Sequence, residues 1–104
     1  MDMARSYTVD EARATLPTVR ATLIQLALER RRTDLDRDER RSTVQALVDH
    51  LASLGIVLRD LDSGLVDFPT VRDGEPAWLC WRLDDPDIAY WHSTREGYAS
   101  RRAL

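Results

Sequence analysis

The sequence predicts an α+β fold, an N-terminal antiparallel helical hairpin packed on a four-stranded antiparallel β-meander. Three observations carry this. Apolar residues recur at helical spacing up to Gly55, the pattern then changes to short extended runs, and hairpin-type turns separate those runs. Helices first and strands second is the order that lays helices on one face of one sheet. The 104 residues make one domain, 1–104, able to bury about two-thirds of its unfolded surface. Its parts are the hairpin over 9–55, the meander over 56–92 and a tail over 93–104.

Thr8-x-x-Glu11 is a capping box that starts the first helix after the extended Ser6-Tyr7-Thr8. Ala12, Leu16, Val19, Leu23 and Leu26 form its apolar stripe. Pro17 lies inside the stripe and removes a backbone donor, which predicts a kink or break near Thr15-Leu16. Asp36-x-x-Glu39 opens the second helix, Val44, Leu47, Val48, Leu51 and Leu54 mark its apolar face, and Gly55 stands at a left-handed C-cap. Thr33-Asp34-Leu35 is short enough to force an antiparallel return.

Ile56 to Leu61 reads as the first strand, before an Asp62-Ser63-Gly64 turn. Leu65 to Phe68 is the second, closed by Pro69. Asp73-Gly74 signals a two-residue hairpin into Ala77 to Leu83, and Asp84–Asp87 turns the chain into Ile88 to His92. The tail reads as loop with one helical turn. In the third strand Leu79, Trp81 and Leu83 share one face, predicted to lie under the helices against Leu23, Leu26, Leu47 and Leu51. Val66 and Phe68 join that core. The opposite face carries Leu65, Asp67, Trp78, Cys80 and Arg82, and the Asp73-Gly74 hairpin sets Asp67 across from Cys80. The register of the last hairpin stays open, with Trp91, Tyr90 or His92 beside Cys80.

All 15 basic residues are arginine, a codon-composition bias of a GC-rich genome. Residues 1–55 balance nine arginines against nine acids; residues 56–104 carry six against nine. Neither half has the one-signed basic field of a nucleic-acid binder, and Arg30-Arg31-Arg32 is offset by neighbouring acids. No apolar run reaches the roughly 18–20 residues of a membrane span, and no secretory core opens the chain. A lone cysteine forms no internal disulfide, which fits a reducing cytosol.

The chemistry-bearing side chains gather between Trp78 and His92, which hold all three tryptophans, the single cysteine and one of two histidines. Cys80 as a nucleophile requires a base and an electropositive setting, which His92 and Arg82 could supply; otherwise it is a small buried hydrophobe. Asp67, between Val66 and Phe68, needs a partner if buried, and Arg82 or Arg101 is the natural one. That pair serves a structural ion pair or an anion-positioning site equally. Trp78, Trp81 and Trp91 could stack a flat ligand or a base, with core packing the favoured use of at least Trp81. Cys80, His92 and the distant His50 show no recognised ligand spacing, so neither metal nor cofactor is expected from sequence. Phosphate-loop and Ser-His-Asp patterns are absent.

Gly64-Leu65-Val66-Asp67-Phe68-Pro69, Leu79-Cys80-Trp81-Arg82, Tyr90-Trp91-His92 and Gly97-Tyr98-x-x-Arg101 together resemble a small prokaryotic family of unknown function. The resemblance extends to Thr8, Glu11, Ala12 and the Leu16-Pro17 pair. Relatives have a longer helical hairpin, so this chain looks shortened between Ala27 and Val44. The resemblance implies no activity. It implies that Asp67, Cys80, Trp81, Arg82, Trp91, His92, Gly97 and Arg101 belong to the family signature.

Two functions are compatible with this pattern. The first is a non-catalytic, cytosolic module that self-associates as a homodimer and binds a protein or small-molecule partner. It rests on a sheet apolar on both faces and on the lack of a complete catalytic set. The second is a small enzyme, or a binding protein for an anionic or aromatic ligand, using Asp67, Trp78, Cys80, Arg82, His92 and Arg101. Convergence of these side chains on one cavity discriminates the two.

Overall fold

The structure, a computed structural model, describes residues 6–34 and 36–104. Its elements are α1 (Val9–Arg31), α2 (Arg37–Ser53), β1 (Val57–Asp60), β2 (Leu65–Arg72), β3 (Glu75–Trp81), β4 (Tyr90–Ser93), a 3-10 turn (Tyr98–Ser100) and β5 (Arg102–Ala103). The class is α+β as expected, but the meander has five strands, in the order β1-β2-β3-β4-β5 and antiparallel throughout. The fifth comes from the tail. Its two residues are too few to show alternation, and their pairing with Tyr90 and Trp91 is a tertiary contact.

Both capping boxes form. Thr8 and Asp36 each accept from the backbone N–H three residues on, and Glu11 and Glu39 return the bond to the cap N–H. Gly55 takes the left-handed conformation at φ 76° that ends α2. Leu35, in the helical connection, lies outside the described residues. Of the kink or break expected near Thr15-Leu16, the break does not occur, and α1 runs as one helix through Pro17. Pro17 is exposed, so the carbonyl it frees is on the wet side of the helix, while Leu16 and Val19 hold the buried side in the core. No helix among the described residues is long and apolar enough to cross a membrane.

The helices cover the face carrying Val66, Phe68, Leu79 and Trp81, which join Leu16, Val19, Leu23, Leu26 and Leu51 in one core. Leu47 and Leu83 pack against it, half-buried. Trp81 is fully buried, and its indole N–H donates to the Asp85 carbonyl at 3.1 Å. A buried indole therefore has its partner inside the fold.

The strand boundaries depart from the sequence reading: β1 is shorter than Ile56–Leu61, and β3 starts two residues before Ala77 and ends two before Leu83. β2 runs to Arg72, through Pro69, because β1 reaches only to the Val57–Asp67 pair. Past that point β2 has no strand on one side, so the missing proline N–H breaks no ladder bond. Tyr7 takes up the free edge: its N–H donates to the Pro69 carbonyl at 2.7 Å, and the Thr70 hydroxyl donates to the Tyr7 carbonyl at 2.6 Å. The last strand begins at Tyr90 rather than Ile88, and Ile88 turns into the core instead. The Asp73-Gly74 turn is as expected, with φ 52° and 78° and with Arg72 paired to Glu75.

Candidate functional site

Alternation puts Asp67 of β2, Trp78 and Cys80 of β3, and Tyr90 and His92 of β4 on the sheet face away from the helices. The pairing is Asp67 with Cys80, Cys80 with Tyr90, and Trp78 with His92. This settles the register of the last hairpin. Tyr90 is opposite Cys80, and Trp91 is opposite Leu79 on the helix side. Three adjacent strands thus present a carboxylate, a thiol and an imidazole to one another.

All three are buried: Asp67 at 2%, Cys80 at 1% and His92 at 3% exposure. His92 Nε2 is 3.1 Å from each carboxylate oxygen of Asp67, and His92 Nδ1 is 2.8 Å from the Ser93 carbonyl oxygen. A carbonyl only accepts, so Nδ1 bears a proton and donates. Nε2 then faces the carboxylate, and a hydrogen bond joins the two.

The charged partner of Asp67 is Arg59, whose Nε donates to Oδ2 at 2.9 Å, and not Arg82 or Arg101. Val57 pairs with Asp67, so alternation along β1 puts Arg59 on the open face beside it. The pairing shifts between Leu58 and Asp60, and the guanidinium reaches Asp67 and lies 5.0 Å from the Trp78 ring centre. Arg82 lies past the end of β3 and binds Asp84 and the Tyr98 hydroxyl instead. Arg101 holds Asp85 through both oxygens, at 2.8 and 3.3 Å, and stacks on Tyr90 and Tyr98.

Above the cluster is a concavity of about 350 Å³. Asp67, Cys80, His92, Trp78 and Arg59 form its base and one wall, and the Thr94–Tyr98 segment forms the rim with Leu65. Of the six residues expected to bind a ligand, Asp67, Trp78, Cys80 and His92 line this space. Arg82 and Arg101 do not; both contact Tyr98, and so they brace the rim. Arg59 is the pocket residue the sequence reading missed, because only the pairing of β1 with β2 brings it beside Asp67 and no motif marks it.

Burial, reinforced by the charge of Asp67, pushes the Cys80 thiol up to about 12, outweighing the opposing influence of Arg101. At neutral pH it is a thiol, so the protein by itself does not make Cys80 an activated nucleophile. Asp85 behaves oppositely. Burial disfavours its ionisation, but the bonds from Arg101 and from the Arg82 N–H prevail and hold its carboxyl below the usual range.

No curated protein and no solved structure matches the chain. A family model, described as "Uncharacterized conserved protein (DUF2203)", matches residues 24–104, from the middle of α1 to the last residue of the sequence. That span contains the five described strands and the whole pocket. The chain belongs to this DUF2203 family of unknown function.

Proposed function

We propose that the protein binds a small anionic molecule with a flat face in the pocket on the open face of its sheet. The observation that carries this is the convergence of Asp67, His92, Cys80 and Arg59 at the base of one concavity. Asp67 and His92 are themselves buried, and the half-exposed Arg59 is the member of the cluster that presents charge to this ligand-sized space. The charges give the sign. Asp67 is hydrogen-bonded to His92, and Glu96, the acid on the rim, is offset by Arg102 at 3.7 Å, which leaves the Arg59 guanidinium as the cation facing the space. Arg59 and Trp78 together present a cation beside an aromatic face, suited to a planar carboxylate.

The test uses benzoate, inorganic phosphate and the neutral analogue benzyl alcohol, followed by ¹⁵N NMR on the protein. Benzoate is expected to move the Trp78 indole and Arg59 Nε resonances, with Arg59→Gln weakening it about tenfold or more. Benzyl alcohol should bind far less. Silence of both resonances at millimolar benzoate and phosphate, or shifts confined to another surface, sinks the reading.

Self-association is a second proposal, and it has its own observation. Ile24 and Leu28 stand one turn apart on α1, 44% and 59% exposed. A second copy of the hairpin packing there would close a four-helix bundle and cover them. The aromatic sheet face has less need of a partner, because arginines lie over Trp78 and Tyr90. Sedimentation equilibrium at micromolar concentration checks this: a single species at 11.9 kDa excludes the dimer.

A further inference from the structure

The carboxylate of Asp67, the thiol of Cys80 and the Nε2 of His92 offer three metal-ligating atoms, all within 4.8 Å of one another. From these we infer that the pocket base is a binding site for one divalent cation of the zinc class. The inference deepens the reading of the same pocket and rests on that pocket being a ligand site. Sulfur, imidazole nitrogen and carboxylate oxygen form the mixed donor set that zinc accepts. Bond lengths of about 2.0–2.3 Å place tetrahedral ligand atoms roughly 3.3–3.7 Å apart, so closing the set takes movements of about an ångström. Rotation about a single side-chain bond supplies that. Because the three residues sit on neighbouring strands in fixed register, the backbone holds the set in place.

The surroundings match what ligating groups need. His92 donates from Nδ1 to the Ser93 carbonyl, which fixes the ring and points Nε2 into the cluster; metal-bound histidines are held this way. Asp67 uses Oδ2 to accept from Arg59 and keeps Oδ1 for the cation, so the guanidinium acts as a support for the ligand. The cation would take the place of the hydrogen bond between Nε2 and the carboxylate, and the Cys80 thiol would give its proton to solvent as the thiolate binds. Three protein ligands leave the fourth tetrahedral position, and the same three residues line the concavity, so that position faces the space where the anion would sit. With Asp67 and Cys80 neutralising the dication, Arg59 again remains as the excess positive charge. The sequence hides the site because its ligands are separated by 13 and 12 residues, a spacing that only strand pairing brings together.

The experiment dialyses the protein against a chelator, then titrates it with Zn²⁺ in competition with a chromophoric chelator and separately with Co²⁺ under an absorption spectrum. Expected are one ion per chain, a Kd tighter than about 10 μM, and tetrahedral cobalt with a thiolate-to-cobalt charge-transfer band. Cys80→Ser should abolish that band, and His92→Gln should weaken binding about 100-fold or more. Wild-type ¹⁵N NMR keeps the test independent of how the variants fold, since zinc should move His92 Nε2 and leave Nδ1 bonded. Weaker binding, octahedral cobalt without the band, or a histidine unmoved by zinc overturns the inference. Benzoate binding to the chelator-treated protein separates the two proposals. Anion binding without metal binding refutes the cation site alone, and metal binding without anion binding refutes the anion reading alone.

Discussion

His92 Nε2 lies 3.1 Å from both oxygens of Asp67, with the two side chains equally buried and Arg59 closing the carboxylate from the other side. Removing one partner of such a buried pair strands the other, at a cost of about 3–5 kcal/mol. Asp67→Ala should therefore destabilise the fold by that order in urea denaturation, and far more than a change at exposed Asp62. Double-mutant cycles should show coupling of Asp67 to His92 and to Arg59, and none to Arg82. A loss under about 1 kcal/mol, or coupling to Arg82 instead, contradicts the geometry.

Cys80, buried and held as a thiol by its surroundings, should resist alkylation in the metal-free native protein. With its thiol raised to about 12, the thiolate is roughly a thousandfold scarcer at neutral pH than in an ordinary cysteine. Iodoacetamide at pH about 7.5, read by mass spectrometry, should modify urea-unfolded chains rapidly and native chains slowly. A native rate within about tenfold of the unfolded one would show an activated, accessible thiol and revive a nucleophilic role.

The Asp85–Arg101 pair gives the protein an acid-sensitive element. The folded carboxyl titrates below its ordinary value of 3.8, so its ionised form stabilises the fold at every pH above that value. The contribution is lost as pH falls through the depressed value, when both folded and unfolded states carry the proton. Asp85→Asn should therefore lower stability by a constant amount above pH about 5, with the gap to wild type narrowing toward pH about 3. A gap that widens on acidification would have the wrong sign.

Two glycines separate crowding from backbone strain. Gly64 has φ +66°, and a Cβ there would come within 2.8 Å of the Leu83 Cβ, an atom fixed to the backbone. Gly74 has φ +78° with nothing within 4 Å. Gly74→Ala should lose about 1 kcal/mol from backbone strain alone, and Gly64→Ala about 2 kcal/mol or more. Equal losses in thermal or urea unfolding would show that the Gly64 turn yields without disturbing Leu83.

Much of this molecule is legible in its local sequence. Thr8 with Glu11 and Asp36 with Glu39 define helix starts because capping joins residues three apart. Asp73-Gly74 sets Asp67 opposite Cys80 because a two-residue turn leaves one register. The alternation of Leu79 and Trp81 against Trp78 and Cys80 then assigns the core and the open face before any tertiary contact is known.

What tertiary structure decided is everything that depends on separate segments meeting. β5 exists only by pairing with β4. Pro69 sits inside a strand only because β1 stops short of it and Tyr7 covers the edge. His92 joins Asp67 and Cys80 only through the register of the third hairpin, whose longer turn does not specify one by itself. Arg59 reaches Asp67, in place of the nearer-looking Arg82, because β1 pairs with β2 in a register that sets Val57 opposite Asp67. Local patterns report the conformation of a few consecutive residues, whereas partners of buried charges are chosen by geometry across strands. The sequence by itself therefore determined which side chains share a face, and the packed sheet decided which of them touch.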